Sequence, residues 1–332
     1  MRSPAREPAQ LDVRAALKEG LSRLREESVP SHTLAAELLL MHVLGRERAW
    51  LYAHPEEAVE PAQVAHYFEL VARRISGVPT QYLTGRQEFW GLDFEVTPDV
   101  LIPRPETEHV IEVALARLGQ RRSREPLRVA DVGTGSGCIA VALARELPEA
   151  QIFATDISPA ALAVACRNAV RHGVSGRITF LECSLLDAIL QDTGVTTRGA
   201  RVTSDESQVT THESPLTNQE SQLTNHDSHP FDLIASNPPY VGRREAESLP
   251  REVCEHEPGE ALFAGDTGGE IYAPLIAQAE KLLARGGILV LELGYNSLDH
   301  VDTLVDAARG WTRVSVTQDL AGIPRVLAAE RA

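Results

Sequence analysis

The chain has 332 residues, 43% of them apolar and 24% charged, with 47 acidic against 32 basic side chains and a formal charge of −15. That length supports about two domains with working cores and excludes a mainly disordered or fibrous chain. The acidic balance argues against a protein that lives on nucleic acid phosphates.

Cys138, Cys166, Cys183 and Cys254 form no CxxC or Cys/His ligand pattern. Neither a metal site nor a disulfide framework is expected, which fits a reducing compartment. The first ten residues lack the apolar run of a secretory leader, and no apolar stretch approaches the ~18 residues of a membrane span. A cytoplasmic protein without membrane contact is the expectation.

Residues 1–10 are expected to be disordered. From Leu11 to about Ile75 apolar residues recur at helical spacing, as in Leu17, Leu21 and Leu24, with Gly45 and Gly77 where C-caps fall and Ser31 placed to cap a helix start. Residues 11–78 are read as a small helical domain without a catalytic cluster, suited to packing or to holding a partner. In QEFWGLDFEVT, residues 87–97, aromatic and β-branched residues alternate with polar ones around Gly91, so 79–105 reads as a β-hairpin linker. The stretch LIPRPETEHVIEVALARLG then opens an amphipathic helix, with Thr107 and the acidic residues suited to its first turn.

From 106 to 332 short apolar runs alternate with helical segments, which predicts an α/β domain with a mostly parallel sheet covered on both faces. VSVTQD and RVLAAE are separated by too short a link for a helical crossover and should pair antiparallel. Residues 187–229 break the pattern with a seven-residue repeat, ESQVTTH, ESPLTNQ, ESQLTNH. Each repeat has one apolar residue where a coiled-coil seam needs two, so a disordered insertion is expected.

Two motifs carry chemistry. In Val129-Ala130-Asp131-Val132-Gly133-Thr134-Gly135-Ser136-Gly137 a strand runs into glycines and then into a helix, which allows a ligand close to the backbone at the carboxyl edge of the sheet. The next strand ends in Asp156, placed to accept hydrogen bonds from ribose hydroxyls, and Asp131 is expected to add a second negative charge nearby. Two carboxylates with no cation in the loop suit S-adenosylmethionine better than a pyrophosphate, although a glycine loop alone leaves the cofactor class open.

The second motif, Asn237-Pro238-Pro239-Tyr240, follows the strand FDLIAS. Its prolines lack N–H groups, so the segment offers carbonyls and the Asn237 side chain as acceptors. Its natural guest is a planar –NH2 group, held by Asn237 Oδ1 and a backbone carbonyl such as that of Pro238, with Tyr240 across its flat face. With the glycine loop on the same sheet edge, the pair points to methyl transfer onto a planar nitrogen.

The stretches FWGLDFEVTPDVLIPRPETE, DVGTGSGCIAVALA, FDLIASNPPYV, EPGEALFAGDTGGEIY and GGILVLELG resemble the peptide chain release factor N5-glutamine methyltransferases, the PrmC/HemK family, in order over most of the chain from about Val78. The resemblance implies a class I S-adenosylmethionine-dependent methyltransferase fold, a Rossmann-like and mostly parallel sheet with an antiparallel last strand, preceded by a small helical substrate-binding domain. It implies release factors as protein substrates, methylated on the glutamine of a GGQ tripeptide, with no direct nucleic acid contact and a monomeric enzyme. Cofactor binding falls to Gly133, Thr134, Gly135, Ser136, Gly137, Asp156 and Asn237, with Leu185 in the place of an adenine contact. Substrate binding falls to Asn237, Pro238, Pro239 and Tyr240. By position, Phe89 would wall the glutamine pocket, and Arg104 and Glu106 would lie near the cofactor crevice.

A glutamine methyltransferase of a ribosomal protein is the near rival, and PRPETE speaks against it. A nucleic acid N6-adenine methyltransferase would want a basic recognition region that this chain lacks. A non-catalytic assembly factor would not need Asn237 and Tyr240 intact. His109 and His256 read as surface residues, Glu292, ending the strand ILVLE, either faces the crevice or has a structural role at the sheet edge, and Trp50, Trp90 and Trp311 read as core or interface anchors.

Overall fold

The structure, a computed structural model, describes residues 11–120, 126–192 and 230–332. The chain divides into two compact units: one of residues up to Arg86 together with Pro250–His256, the other of Gln87–Leu249 and Glu257–Ala332. The expectation for residues 1–10 lies outside the described residues.

The first unit holds α1 (Val13–Glu26), α2 (His32–Leu44), α3 (Arg48–Ala53), α4 (Pro61–Ile75) and α5 (Thr80–Thr84). Helical spacing brings Leu24, Leu39, Leu40, Tyr67, Leu70 and Val71 into one buried cluster, each removal from water worth roughly 2 kcal/mol. Gly45 ends α2 in the left-handed region, but Ser31, placed to cap that helix, is itself left-handed and makes no side-chain cap bond. Arg74, buried on α4, reaches Glu252 at 2.5 Å and the Val78 carbonyl at 3.2 Å. That ion pair lies between sequence-distant parts of the unit, and the unit extends past Val78 to include α5.

The second unit opens on the hairpin β1 (Arg86–Phe89) and β2 (Leu92–Glu95), followed by α6 (Glu108–Gly119), β3 (Arg128–Val132), α7 (Cys138–Glu146), β4 (Gln151–Asp156), α8 (Pro159–Arg171), β5 (Ile178–Glu182) and α9 (Asp187–Asp192). From residue 230 onward come β6 (Phe231–Ser236), then α10 (Arg251–His256, in the helical unit), α11 (Gly259–Leu262), α12 (Tyr272–Leu282), β7 (Leu283–Glu292), α13 (Leu298–Ala308), β8 (Trp311–Gln318) and β9 (Pro324–Arg331). Asp187–Asp192 are helical where the sequence reading has irregular chain from about 187. The remainder of that expectation, 193–229 with its repeat, lies outside the described residues.

The seven-stranded sheet has the order β5-β4-β3-β6-β7-β9-β8, parallel except for β9, which runs antiparallel to both β7 and β8. The two-residue period of a strand sends alternate side chains to opposite faces. Val129, Ile152, Ala154, Leu233 and Val290 enter one core with α6, α7 and α8, while Ala130, Val132, Ile234, Leu289 and Leu291 enter another with α12 and α13. Strands apolar on both faces are thereby covered on both faces, as the unbroken apolar runs require.

Candidate active site

Sheet growth reverses direction at β3, whose neighbours are β4 on one side and β6 on the other. Ligands of such sheets bind at this reversal, beyond the carboxyl ends of the strands. Val132 stands opposite Ser236 in register, and Ser236 Oγ donates to the Val132 carbonyl at 2.7 Å. The glycine loop and the Asn-Pro-Pro-Tyr segment therefore leave one edge from adjacent strands.

The glycine loop is folded back on β4: the amides of Gly133 and Thr134 both donate to the Thr155 carbonyl at 2.9 Å. Gly137 has φ +81°, and a Cβ there would stand 3.0 Å from Ala165 Cβ on α8, so the loop meets the helix where a side chain has no room. Above Gly133 and Gly135 the equivalent positions face open space. This is a cradle with backbone on its floor and no cation among residues 131–137, which fits a nucleoside bearing hydroxyls.

Asp156 ends β4 with Oδ2 accepting from the Gly135 amide at 2.8 Å and Oδ1 from the Ser158 amide at 2.9 Å. Burial raises its pKa, and those amides oppose the rise. Each oxygen keeps a further lone pair at the edge.

Asp131 departs from its expected role. It is wholly buried beneath the loop, where Oδ2 accepts from Thr134 Oγ1 at 2.6 Å and from the Ala140 amide at 3.0 Å, and desolvation pushes its pKa up to about 7. It braces the loop rather than presenting charge to a ligand. Leu185 lies in the loop after β5 at φ +49°, an unusual conformation for a branched residue. That loop stays beside Asp156, since the Cys183 amide donates to the Asp156 carbonyl at 3.0 Å.

At the other motif, Asn237 Nδ2 donates to Thr107 Oγ1 at 3.0 Å. Thr107 makes no cap bond to α6, although its residue type suits a helix start; its hydroxyl goes to the site instead. Tyr240 donates to Glu292 Oε1 at 3.4 Å, and burial raises its pKa strongly. Its ring is packed from behind, since a Cβ on Gly294 would come within 3.0 Å of Tyr240 Cδ2. Beyond it Val241 pairs with the 262–264 segment, through its amide to the Leu262 carbonyl at 3.0 Å and from the Ala264 amide at 3.1 Å.

Glu292, at the end of β7, is 1% exposed. Desolvation pushes its pKa up to about 7, while the nearby Thr107 and Tyr240 hydroxyls pull it down. Sequence reasoning passed over Thr107 as a helix-start residue, and for Glu292 it left open both a place facing the crevice and a structural role at the sheet edge. The signal for Glu292 was there, a carboxylate directly following four buried apolar residues.

Other expected residues fall elsewhere. Phe89 is 1% exposed and packs edge-on against Phe94 in the core with α6, α7 and α8, so the structure does not bring it to the crevice as a wall. Arg104 donates to Glu257 at 2.5 Å, with the other Glu257 oxygen taking the Ile102 amide at 3.2 Å. Its field reaches Tyr240, and that of Glu106 reaches Glu292. Both are near enough to act electrostatically on Tyr240 and Glu292 respectively. His109 pairs with Glu112 on α6, and His256 belongs to the helical unit. Trp90 is tied through Nε1 to Glu146 at 2.9 Å, and Trp311 is buried beneath the second face of the sheet. Among the described residues no cluster could hold a metal ion, and no helix is long and apolar enough to cross a membrane.

A Rossmann-like sheet with a glycine cradle, an acidic residue closing the next strand and an acceptor-rich turn on the adjoining strand defines a class I methyltransferase that uses S-adenosylmethionine. Residues 129–197 match a methyltransferase domain, and residues 15–85 match the PrmC N-terminal domain. The chain belongs to the release factor glutamine methyltransferase family. It is 40% identical over 97% of its length to the release factor glutamine methyltransferase of Koribacter versatilis, covering 99% of that protein. It is 39% identical to that of Nitratidesulfovibrio vulgaris, over 95% of this chain and 94% of that protein. Among solved structures, the catalytic domain of hMettl16, determined with an RNA hairpin, shares the fold with a TM-score of 0.50 at 18% identity, over 79% of this chain and 81% of that one.

Proposed function

We propose that the protein transfers a methyl group from S-adenosylmethionine to the side-chain amide nitrogen of the glutamine in the GGQ tripeptide of peptide chain release factors, acting as a monomer and without direct nucleic acid contact. The observation that carries this reading is the pairing of Val132 with Ser236, which sets a nucleoside cradle beside an acceptor-lined turn. Both halves of the site come from one chain. The release factor enters from the family, and PRPETE with the helical unit supports it over other amide substrates.

When bound, S-adenosylmethionine supplies an electrophilic methyl carbon on a sulfonium. The protein's task is to make an amide nitrogen a usable nucleophile. Asn237 Oδ1 accepts one N–H of the glutamine and the Pro238 carbonyl accepts the other, which returns electron density to nitrogen and aims its lone pair. Pro239, without an N–H, keeps donors out of the slot. Tyr240 covers the flat face of the amide. Asp156 would hold the ribose hydroxyls, the Gly133–Gly137 backbone with Thr134 and Ser136 would floor the nucleoside, and Leu185 would stand in the place of an adenine contact. With the nitrogen held in line with the sulfonium methyl, transfer would need only positioning and fixed dipoles, and the methylated nitrogen would lose its extra proton to water without a strong base.

The test uses purified protein with methyl-labelled S-adenosylmethionine and four acceptors: a release factor with GGQ, its GGA variant, a ribosomal protein and duplex DNA. Label on the GGQ factor alone is expected. Label on DNA, or equal label on GGA, overturns the reading.

A further inference from the structure

We infer that Thr107 and Glu292 are positioning residues for the acceptor slot: Glu292 orients the Thr107 hydroxyl, and Thr107 in turn orients the Asn237 amide with its oxygen toward the substrate. The inference rests on the role of Asn237 in the reading above.

A carboxamide has two ends of nearly equal shape, one an acceptor and the other a double donor. If Asn237 turned over, its NH2 would face the incoming NH2 and the slot would repel its guest. The partner of Nδ2 is Thr107 Oγ1, at 3.0 Å. A hydroxyl alone does not decide the matter, because it both donates and accepts. The decision lies with its single proton.

The Thr107 hydroxyl acts on the Glu292 carboxyl, whose Oε1 takes the Tyr240 hydroxyl at 3.4 Å while its buried Oε2 has no partner at hydrogen-bond distance among the described residues. An ionised carboxylate only accepts, so the unpartnered Oε2 is the acceptor toward which the Thr107 proton turns. Oγ1 is then left to accept, and Asn237 must offer it Nδ2, which sends Oδ1 the other way. The same carboxylate anchors Tyr240, so both side chains of the slot hang from one buried group.

The groups that act on Glu292 are the Thr107 and Tyr240 hydroxyls and Arg325, which favour its ionised form, and Glu106, which opposes it. Tyr272 donates to the Glu292 backbone carbonyl at 3.1 Å, and buried Cys138 feels the charge. Once protonated, Glu292 can donate and the direction of the relay is lost. Methyl transfer should therefore fall as pH drops below about 7.

The test compares Thr107→Val, Thr107→Ser and Glu292→Gln in the full chain. Thr107→Val should lower kcat about a hundredfold, the scale of a lost orientation, while the KM for S-adenosylmethionine stays within about twofold. Thr107→Ser, which keeps the hydroxyl, should recover to within about threefold, and Glu292→Gln should lower kcat and abolish the acid limb. Two readouts need no substrate. In Thr107→Val the Glu292 carboxyl, followed by carbon NMR, should titrate higher, and the Asn237 side-chain protons should exchange faster, with both restored in Thr107→Ser. Unchanged titration and exchange in Thr107→Val overturn the inference, as does a kcat within about twofold of the parent. If these NMR signatures appear while a GGQ factor goes unmethylated, the inference stands and the substrate reading falls.

Discussion

At the scale of single residues, the proposed reaction gives Asn237 and Asp156 separate work, and their losses should separate kinetically. If Asn237 accepts from the reacting nitrogen as proposed, Asn237→Ala should cost about 10²–10³ in kcat, with cofactor affinity by calorimetry almost unmoved. Phe89 offers the opposite test. The resemblance put it on the pocket, but an aromatic residue in a short strand pattern carries no sign of which face it will occupy, and packing against Phe94 decides for the core. Phe89→Ala should cost about 3–5 kcal/mol of stability, read by urea denaturation, and leave the KM for the acceptor unchanged in the protein that remains folded. Asn237 was legible because a proline on its carboxyl side and an apolar strand before it admit few conformations. Thr107 was not, since a threonine at a helix start ordinarily caps, and only the approach of a strand from the other end of the domain diverts its hydroxyl.

Among the elements, the site depends on how the hairpin and α8 hold the glycine loop. Asn168 on α8 is fully buried and joins all three: its Oδ1 takes the Glu95 amide at 2.7 Å, and its Nδ2 reaches the carbonyls of Glu95 and Ser136, each at 2.9 Å. Each buried partner left unpaired costs about 1–3 kcal/mol, so Asn168→Leu should be strongly destabilised by chemical denaturation. Any folded fraction should bind S-adenosylmethionine more weakly, because the Ser136 carbonyl loses its tether. Gly294 controls the acceptor side in a similar way. Gly294→Ala puts a methyl 2.8 Å from Ser297 Oγ and 3.0 Å from the Tyr240 ring, so the ring must move. Transfer should fall on the order of tenfold or more, with cofactor binding retained. The strands, their parallel order and the antiparallel β9 were readable from alternation and loop length, whereas Asn168 in the sequence is one polar residue in a helix. Three partners from distant segments give it its role, and local pattern contains none of them.

For the whole molecule, the same burial that shapes the site sets how stability responds to pH. Asp131 and Glu292 both have pKa values pushed up to about 7, far above the carboxylate range of an unfolded chain. A raised folded pKa means that the unfolded state gives up its proton first, so the contribution of each group is complete below about pH 4 and declines as pH rises through about 7. Each shift corresponds to roughly 3–4 kcal/mol. In the opposite direction, backbone amides around Glu270 hold its pKa down to about 2, and Arg325 holds that of Asp319 down, so their support is present above the ordinary carboxylate range and fades in stronger acid. Stability should therefore peak near pH 4–5 and decline toward pH 8, even though methyl transfer, which requires Glu292 ionised, improves over the same interval. Melting temperatures taken from pH 3 to 9 should trace that decline. Asp131→Asn and Glu292→Gln should each flatten its alkaline side, since neither replacement can ionise, and a parent protein whose stability rises steadily from pH 5 to 8 would mean that these two carboxyls are not buried as acids.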